Sequence, residues 1–156
     1  MLVCVADTTW SYSLVTGPTG PISLDSIRAF LESRPDAASR QFPSYRVIEK
    51  TDPLVSYTVN VTNTGKMDAD HVVLGMLTPP QAGVGGVPLQ ILWGFERVHV
   101  VAGETVTVEM YPALTSFTQV DRYGVRNAHS GLYRFRFGIE EMPRDQGFLE
   151  HVVEAH

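Results

Sequence analysis

The sequence has a single cysteine, Cys4, among 156 residues. One thiol cannot form an internal disulfide, a zinc cluster or a C-x-x-C redox pair, so a small buried hydrophobe is the expected role. Basic residues are also few. Twelve Lys and Arg stand against seventeen Asp and Glu, a formal charge of −5. Such a field repels phosphate, which argues against nucleic acid or an anionic membrane as partner. No apolar run approaches the ~18–20 residues of a membrane span. Met1 to Ala6 is apolar but short and lacks a basic lead, so it reads as a strand through Val3 and Val5 rather than a signal peptide, and a soluble chain is expected. Internal repeats and low-complexity runs are missing as well.

What remains is an ordinary globular balance, 44% hydrophobic and 19% charged, in one domain's length. The first fifty residues differ from the rest. Residues 16–21 form a turn-rich link. Leu24, Ile27, Phe30 and Leu31 then fall on one helical face, with Ser23 as N-cap and Pro35 as stop. From about residue 45 the period becomes alternating. Strands are expected at 45–50, 54–62, 71–77, 89–93, 95–101, 105–110, 114–120 and 132–139. Val55, Tyr57, Val59 and Val61 alternate with polar residues, and Tyr133, Phe135, Phe137 and Ile139 oppose Arg134 and Arg136. Residues 78–88 form a Pro/Gly-rich loop. A tail after Pro143 carries Phe148, Leu149, Val152 and Val153 and suits either a short helix or an added strand.

Short strands divided by turn signals imply an all-β fold, an immunoglobulin-like two-sheet sandwich with a short helix-containing N-terminal extension. The expected organisation is an extension over 1–49, a sandwich over 50–142 and a tail over 143–156.

Three segments carry a family likeness. Val59-Asn60-Val61-Thr62-Asn63-Thr64-Gly65 with Asp70-His71-Val72-Val73 is the first. Leu92-Trp93-Gly94-Phe95-Glu96-Arg97-Val98 with Ala102-Gly103-Glu104 is the second. Gly131-Leu132-Tyr133 with Gly138 is the third. In this order they resemble the C-terminal fibronectin type III-like domain of family 3 glycoside hydrolases, with the β-xylosidase-like branch nearest. The usual proline before Gly103 is Ala102 here. The resemblance implies structural roles for Asn63, Gly65, Gly94, Phe95, Arg97, Val98, Gly103, Glu104, Gly131 and Tyr133. Gly65 and Gly103 are expected in turns. Phe95 is expected as an apolar anchor, Arg97 as a partner of Glu96 or Glu104, and Tyr133 as a hydroxyl bonded back to a nearby loop.

The resemblance implies a module beside catalysis rather than its seat. Family 3 enzymes use two carboxylates, with the nucleophile in an S-D-W-like motif on a barrel-type domain. This sequence has no Asp-Trp pair. The acids Asp68/Asp70, Glu140/Glu141 and Glu49/Asp52 read as solvated turn residues. The five histidines lack metal-ligand spacing, no G-x-S-x-G elbow occurs, and Gly83, Gly85 and Gly86 lack a following Lys-Ser/Thr. No catalytic residue, metal or cofactor is therefore assigned. The implied partners are the catalytic domains of such a hydrolase, docking on the helix face and the tail. An oligo- or polysaccharide is the other candidate, which would stack on an exposed ring. Trp93, Tyr123 and Trp10 are the leading rings, with Tyr12 and Tyr111 behind them. An independent carbohydrate-binding module is the alternative. Asn60-Val61-Thr62 is a glycosylation sequon, and the parent enzyme is expected outside the cell or in the secretory pathway.

Overall fold

A computed structural model describes residues 8–32, 54–121, 123–138 and 148–156. The expected strands at 3–5 and 45–50, Cys4, Pro35, Glu49, Asp52, Ile139, Glu140 and Glu141 lie outside the described residues.

The described residues form, in order, β1 Trp10–Thr16, α1 Asp25–Glu32, β2 Tyr57–Asn63, β3 Ala69–Thr78, β4 Ile91–Val100, β5 Thr105–Met110, a 3₁₀ turn Leu114–Phe117, β6 Gln119–Val120, β7 Arg126–Asn127, β8 Gly131–Phe137 and β9 Leu149–Ala155. All named sheet pairings are antiparallel. One sheet has the order β1-β2-β5 and the other β4-β3-β8-β9, with β6-β7 as a small ribbon. The two larger sheets form a three-plus-four β-sandwich, the all-β fold expected from the alternation.

Alternation decides the inner faces. Tyr57, Val59, Val61 and Asn63 of β2 are buried while Thr58, Asn60 and Thr62 are not. Tyr133, Phe135 and Phe137 of β8 point inward as expected. Ring centroids of Tyr57 lie 5.0 Å from Phe135 and 5.1 Å from Phe137, which places an aromatic cluster at the centre of the sandwich. Such tilted and edge-on pairs add to their area burial.

The expected boundaries at 49/50 and 142/143 do not coincide with breaks in strand pairing. β1 pairs with β2 from Trp10↔Asn63 to Thr16↔Thr58, and β9 pairs with β8 from Gly131↔Ala155 to Phe137↔Leu149. An unpaired central strand would leave its backbone groups unsatisfied, so segments remote in sequence complete both sheets. Ser23 Oγ accepts the Asp25 N–H at 3.2 Å at the start of the helix. Leu24 and Ile27 are buried in the chain's own core. Of the surfaces expected to dock, Leu24 and Ile27 of the helix and Val153 of the tail are buried within the chain, while Phe148 and Val152 are exposed.

Two local readings are corrected. Residues 114–120 are a 3₁₀ turn and a two-residue strand, because Phe117 turns into the core beside Tyr133, with ring centroids 5.4 Å apart. Residues 91–100 form one strand, with the register slipping between Gly75 and Met76 of β3, opposite Trp93.

Trp93 explains that bulge. A Cβ on Gly75 would lie 2.5 Å from Trp93 Cε2, so the indole lies directly on the Gly75 backbone. Gly131 has φ +142°, and a Cβ there would meet Pro80 at 2.9 Å. Gly103 has φ +79° in the β4–β5 turn, as expected of it. Gly65 is not among the glycines with positive φ; its N–H instead donates to Asn63 Oδ1 at 2.9 Å.

Asn63 ties the ends of both sheets together. Its Nδ2 donates to Met67 O at 2.7 Å and to Val100 O at 3.0 Å. Its backbone N–H donates to Glu104 O, and its carbonyl accepts from the Gly103 N–H. The Tyr133 hydroxyl lies 2.8 Å from His129 O, the expected return bond to a loop. Phe117 O, at 3.2 Å, lies near the same hydroxyl.

Three substitutions test this account. Asn63→Ala strands two carbonyls and an N–H, and should cost roughly 2–4 kcal/mol in urea unfolding. Gly75→Ala should cost at least about 2 kcal/mol, because the added carbon has no room without moving the indole. Tyr133→Phe, which removes one hydroxyl, should cost only about 1 kcal/mol.

Candidate functional site

The ring candidates separate once the strands are placed. Trp93 is buried against Tyr57, Phe135 and Phe137, and its Nε1 has no hydrogen-bond partner. Trp10 is buried and stacks on His71, centroids 4.1 Å apart and 15° between planes. Neither presents a face to solvent. Tyr123 is 75% exposed at the tip of the β6–β7 ribbon. Asp121 Oδ1 holds that tip by accepting from the Tyr123 and Val125 N–H groups. Tyr111 is half-exposed, and its hydroxyl donates to Glu109 at 2.8 Å. The structure therefore assembles no strip of exposed rings from these candidates.

Asp68, Asp70 and Glu150 each accept hydrogen bonds within the fold. Asp68 accepts the Ala102 N–H at 2.9 Å. Asp70 accepts from His99 Nδ1 at 2.7 Å and from Arg97 at 2.5 Å. Arg97 bridges β3 and β4, and its partner is Asp70 rather than the expected Glu96 or Glu104, because the pairing Asp70↔His99 and Val72↔Arg97 puts all three on one face. Glu150 accepts from Arg136 at 2.6 Å and from Arg134 at 3.3 Å. These donors hold the carboxyls of Asp70 and Glu150 below their usual range, His99 and Arg136 respectively being the leading causes. A general acid needs the opposite shift. Among the described residues no group of three His, Cys, Asp or Glu is arranged to hold a metal. Asn60 Oδ1 accepts from the Thr107 hydroxyl at 2.9 Å on the outer face of β2.

Two tyrosine–histidine pairs, not anticipated, link the sheets. Tyr12 of β1 shares a hydrogen bond with His71 of β3. Tyr57 of β2 shares one of 3.1 Å with His151 of β9. A faint signal existed, since His71 lies in phase with the inward residues Val73, Gly75 and Leu77. Burial pushes the Tyr12 hydroxyl up to about 12 and the Tyr57 hydroxyl higher still. Burial also depresses both histidines, so each prefers to stay neutral in the fold.

Two sets of exposed apolar side chains bear on binding. Val84 and Leu89 of the 78–89 loop and Tyr123 and Val125 of the ribbon are one set. Pro80 joins the loop to the base of the ribbon, its carbonyl accepting from Gln119 Nε2 at 3.3 Å. The second set lies on the outer face of the four-stranded sheet: Leu92, Phe95 and Val72. Phe95, expected as an apolar anchor, is 64% exposed. Its Cα partner Leu74 lies in the outward phase of β3, and this carries Phe95 outward with it.

No protein-family model matches the chain. It is 30% identical over 138 residues to β-D-xylosidase 1 of Arabidopsis thaliana, covering 84% of this chain and 17% of that protein. It is 38% identical over 78 residues to a probable β-glucosidase I of Aspergillus clavatus, covering 50% of this chain and 9% of that protein. Among solved structures, a Listeria innocua β-glucosidase superposes with a TM-score of 0.64 at 16% identity, covering 95% of this chain and 16% of that one. A Bifidobacterium adolescentis GH3 β-glucosidase gives 0.61 at 18% identity, covering 95% and 17%. The chain thus spans about a sixth or less of the length of these relatives.

The histidines generate a pH prediction. A group whose folded pKa is depressed binds its proton more readily when unfolded. Stability is therefore full above about pH 6.5, the unfolded value, and falls as the pH drops below it. The urea midpoint should be lower at pH 5.5 than at pH 7.5, and His71→Gln/His151→Gln should flatten that difference. Loss of the Asp70 and Glu150 contributions belongs to a separate window below about pH 4.5.

Proposed function

The chain is related to one part of the family 3 glycoside hydrolases, and from that premise we propose that it is their non-catalytic fibronectin type III-like module. The observation that carries this reading is coverage: 84% of this chain aligns with only 17% of a β-xylosidase. Hydrolysis belongs to the remainder. A (β/α)₈ barrel alone takes about 250 residues, more than the chain contains. A retaining site needs two carboxyls about 5 Å apart, one of them with a raised pKa. The described acids that show a shift have it in the other direction.

The work of the module is mechanical. A rigid sandwich packs on the catalytic domains, holds their relative orientation and places the 78–88 loop where it can border a substrate entrance. Loops on a stiff scaffold are where such contacts are made. The parent enzyme acts on xylan- or β-glucan-derived oligosaccharides, outside the cell or along the secretory route.

A free-standing carbohydrate-binding module is the second reading, favoured by one feature, the exposed Tyr123 ring on its braced ribbon tip. Affinity electrophoresis on xylan and on β-glucan separates the two readings. The purified chain should migrate unretarded, whereas retardation lost in Tyr123→Ala supports the second reading. The purified chain should also leave an aryl β-xyloside intact. Turnover that vanishes on changing one acidic residue would overturn the proposal.

A further inference from the structure

We infer that the outer face of the four-stranded sheet, centred on Leu92 and Phe95, is the surface on which the remainder of a longer hydrolase polypeptide docks; this rests on the reading of the module given above.

The two sheets have outer faces of opposite character. The outer face of β1-β2-β5 is polar and self-satisfied. Thr16 bonds Thr58 at 2.7 Å, Thr62 bonds Thr105 at 2.8 Å, and Thr107 bonds Asn60 at 2.9 Å. The outer face of the other sheet is apolar where β3 meets β4. The register sets Met76 beside Leu92, Leu74 beside Phe95 and Val72 beside Arg97. Phe95 is 64% exposed, Leu92 51% and Val72 40%. Cross-strand neighbours on one face lie close enough to form a continuous patch.

Charged pairs frame the patch. Asp70 with Arg97 and His99 closes one side. On the other side Glu150 sits between Arg134 and Arg136, and the Arg136 guanidinium lies 5.1 Å from the centre of the Phe148 ring. An apolar centre with a polar rim is the anatomy of a protein interface. The sequence motif points the same way. Phe95 belongs to the segment by which the chain resembles its family, yet it is solvent-exposed, so the core of the sandwich does not call for it.

Size selects the occupant. Three exposed apolar side chains, Val72, Leu92 and Phe95, make the centre of the patch, whereas stable association of free partners takes about 20–30 residues a side. A second copy of the chain, or a separate protein, would therefore hold weakly. A segment of the same polypeptide meets the patch at an effective concentration in the millimolar range, where a small apolar contact suffices. The relatives are roughly six times longer than this chain, so in them such a partner lies in cis.

The test uses Leu92→Glu/Phe95→Glu in the isolated chain and in the full-length polypeptide that contains it. Tyr123→Glu/Val84→Glu at the loop end serves as the comparison. In the isolated chain the Leu92/Phe95 pair should leave the far-UV spectrum, the melting temperature and the monomeric sedimentation unchanged. In the full polypeptide it should lower the melting temperature by several degrees and raise the rate at which protease releases the segment by about tenfold or more, since that rate follows the open population. The loop-end pair should do neither. If the loop-end pair destabilises the full polypeptide and the sheet pair does not, the module docks, but on its other end, and the inference fails alone. If neither pair has an effect, and deletion of the segment also leaves the remainder's melting unchanged, the mechanical role fails with it. A parental chain that sediments as a dimer, dissociated by Leu92→Glu/Phe95→Glu, assigns the face to a second copy and overturns the inference. Should the charged pair unfold the isolated chain, Leu92→Thr/Phe95→Thr, which suits a strand, carries the same comparison.

Discussion

One buried amide holds the two layers in register. Asn63 ends the central strand of the three-stranded sheet, and its side chain reaches Val100, at the end of the edge strand of the other sheet. Its remaining groups engage Gly65 and Met67 in the β2–β3 connection and Gly103 and Glu104 in the β4–β5 turn. An amide with both its side-chain oxygen and its nitrogen partnered in a dry site stabilises only one arrangement of its neighbours, because each lost bond leaves an unsatisfied group. The two connections that turn the chain between layers are thus specified by a single side chain. The alternating apolar residues supply driving force but do not themselves choose that geometry.

The interior built around this clamp has a consequence for binding. Trp93 lies flat on Gly75 and Trp10 stacks on His71, so both indoles are used to fill the sandwich. Large rings make the aromatic cluster dense. They also leave the scaffold without an exposed tryptophan face on which a sugar would stack. The tyrosine–histidine bonds that cross between the layers belong to the same economy: groups that must be buried to fill space are partnered across the gap rather than left open. Both indoles and both tyrosine–histidine pairs thus join one layer to the other.

A stiff body with one polar and one apolar outer face is suited to being a part of something larger. The polar ladder of threonines on β1-β2-β5 is satisfied within the chain, while Leu92 and Phe95 are not covered by any described residue. The relation to β-xylosidases and β-glucosidases several times longer than this chain fits the same asymmetry. Among the described residues, Asp68 is engaged by a backbone amide, and Asp70 and Glu150 by arginines and a histidine, which favours the ionised forms of those two.

Much of the fold was legible before any coordinates. Period-two alternation identified β2, β5 and β8 and their inward residues, because a side chain's face follows directly from its place in a strand. The family likeness rested on short motifs whose glycines and Asn63 answer local backbone needs. Tyr133's bond to a loop was readable for the same reason, being a contact across four residues. What only the tertiary structure decided was long-range. That β1 completes one sheet and β9 the other depends on pairings some fifty and twenty residues apart in the chain, which no local pattern encodes. The exposure of Phe95, the burial of Trp10 and Trp93, and the choice of Asp70 as partner of Arg97 depend on strand register and on which layer lies opposite. Those are properties of two sheets meeting, set by close packing and by hydrogen-bond satisfaction across the interface, and they exist only once the chain has folded.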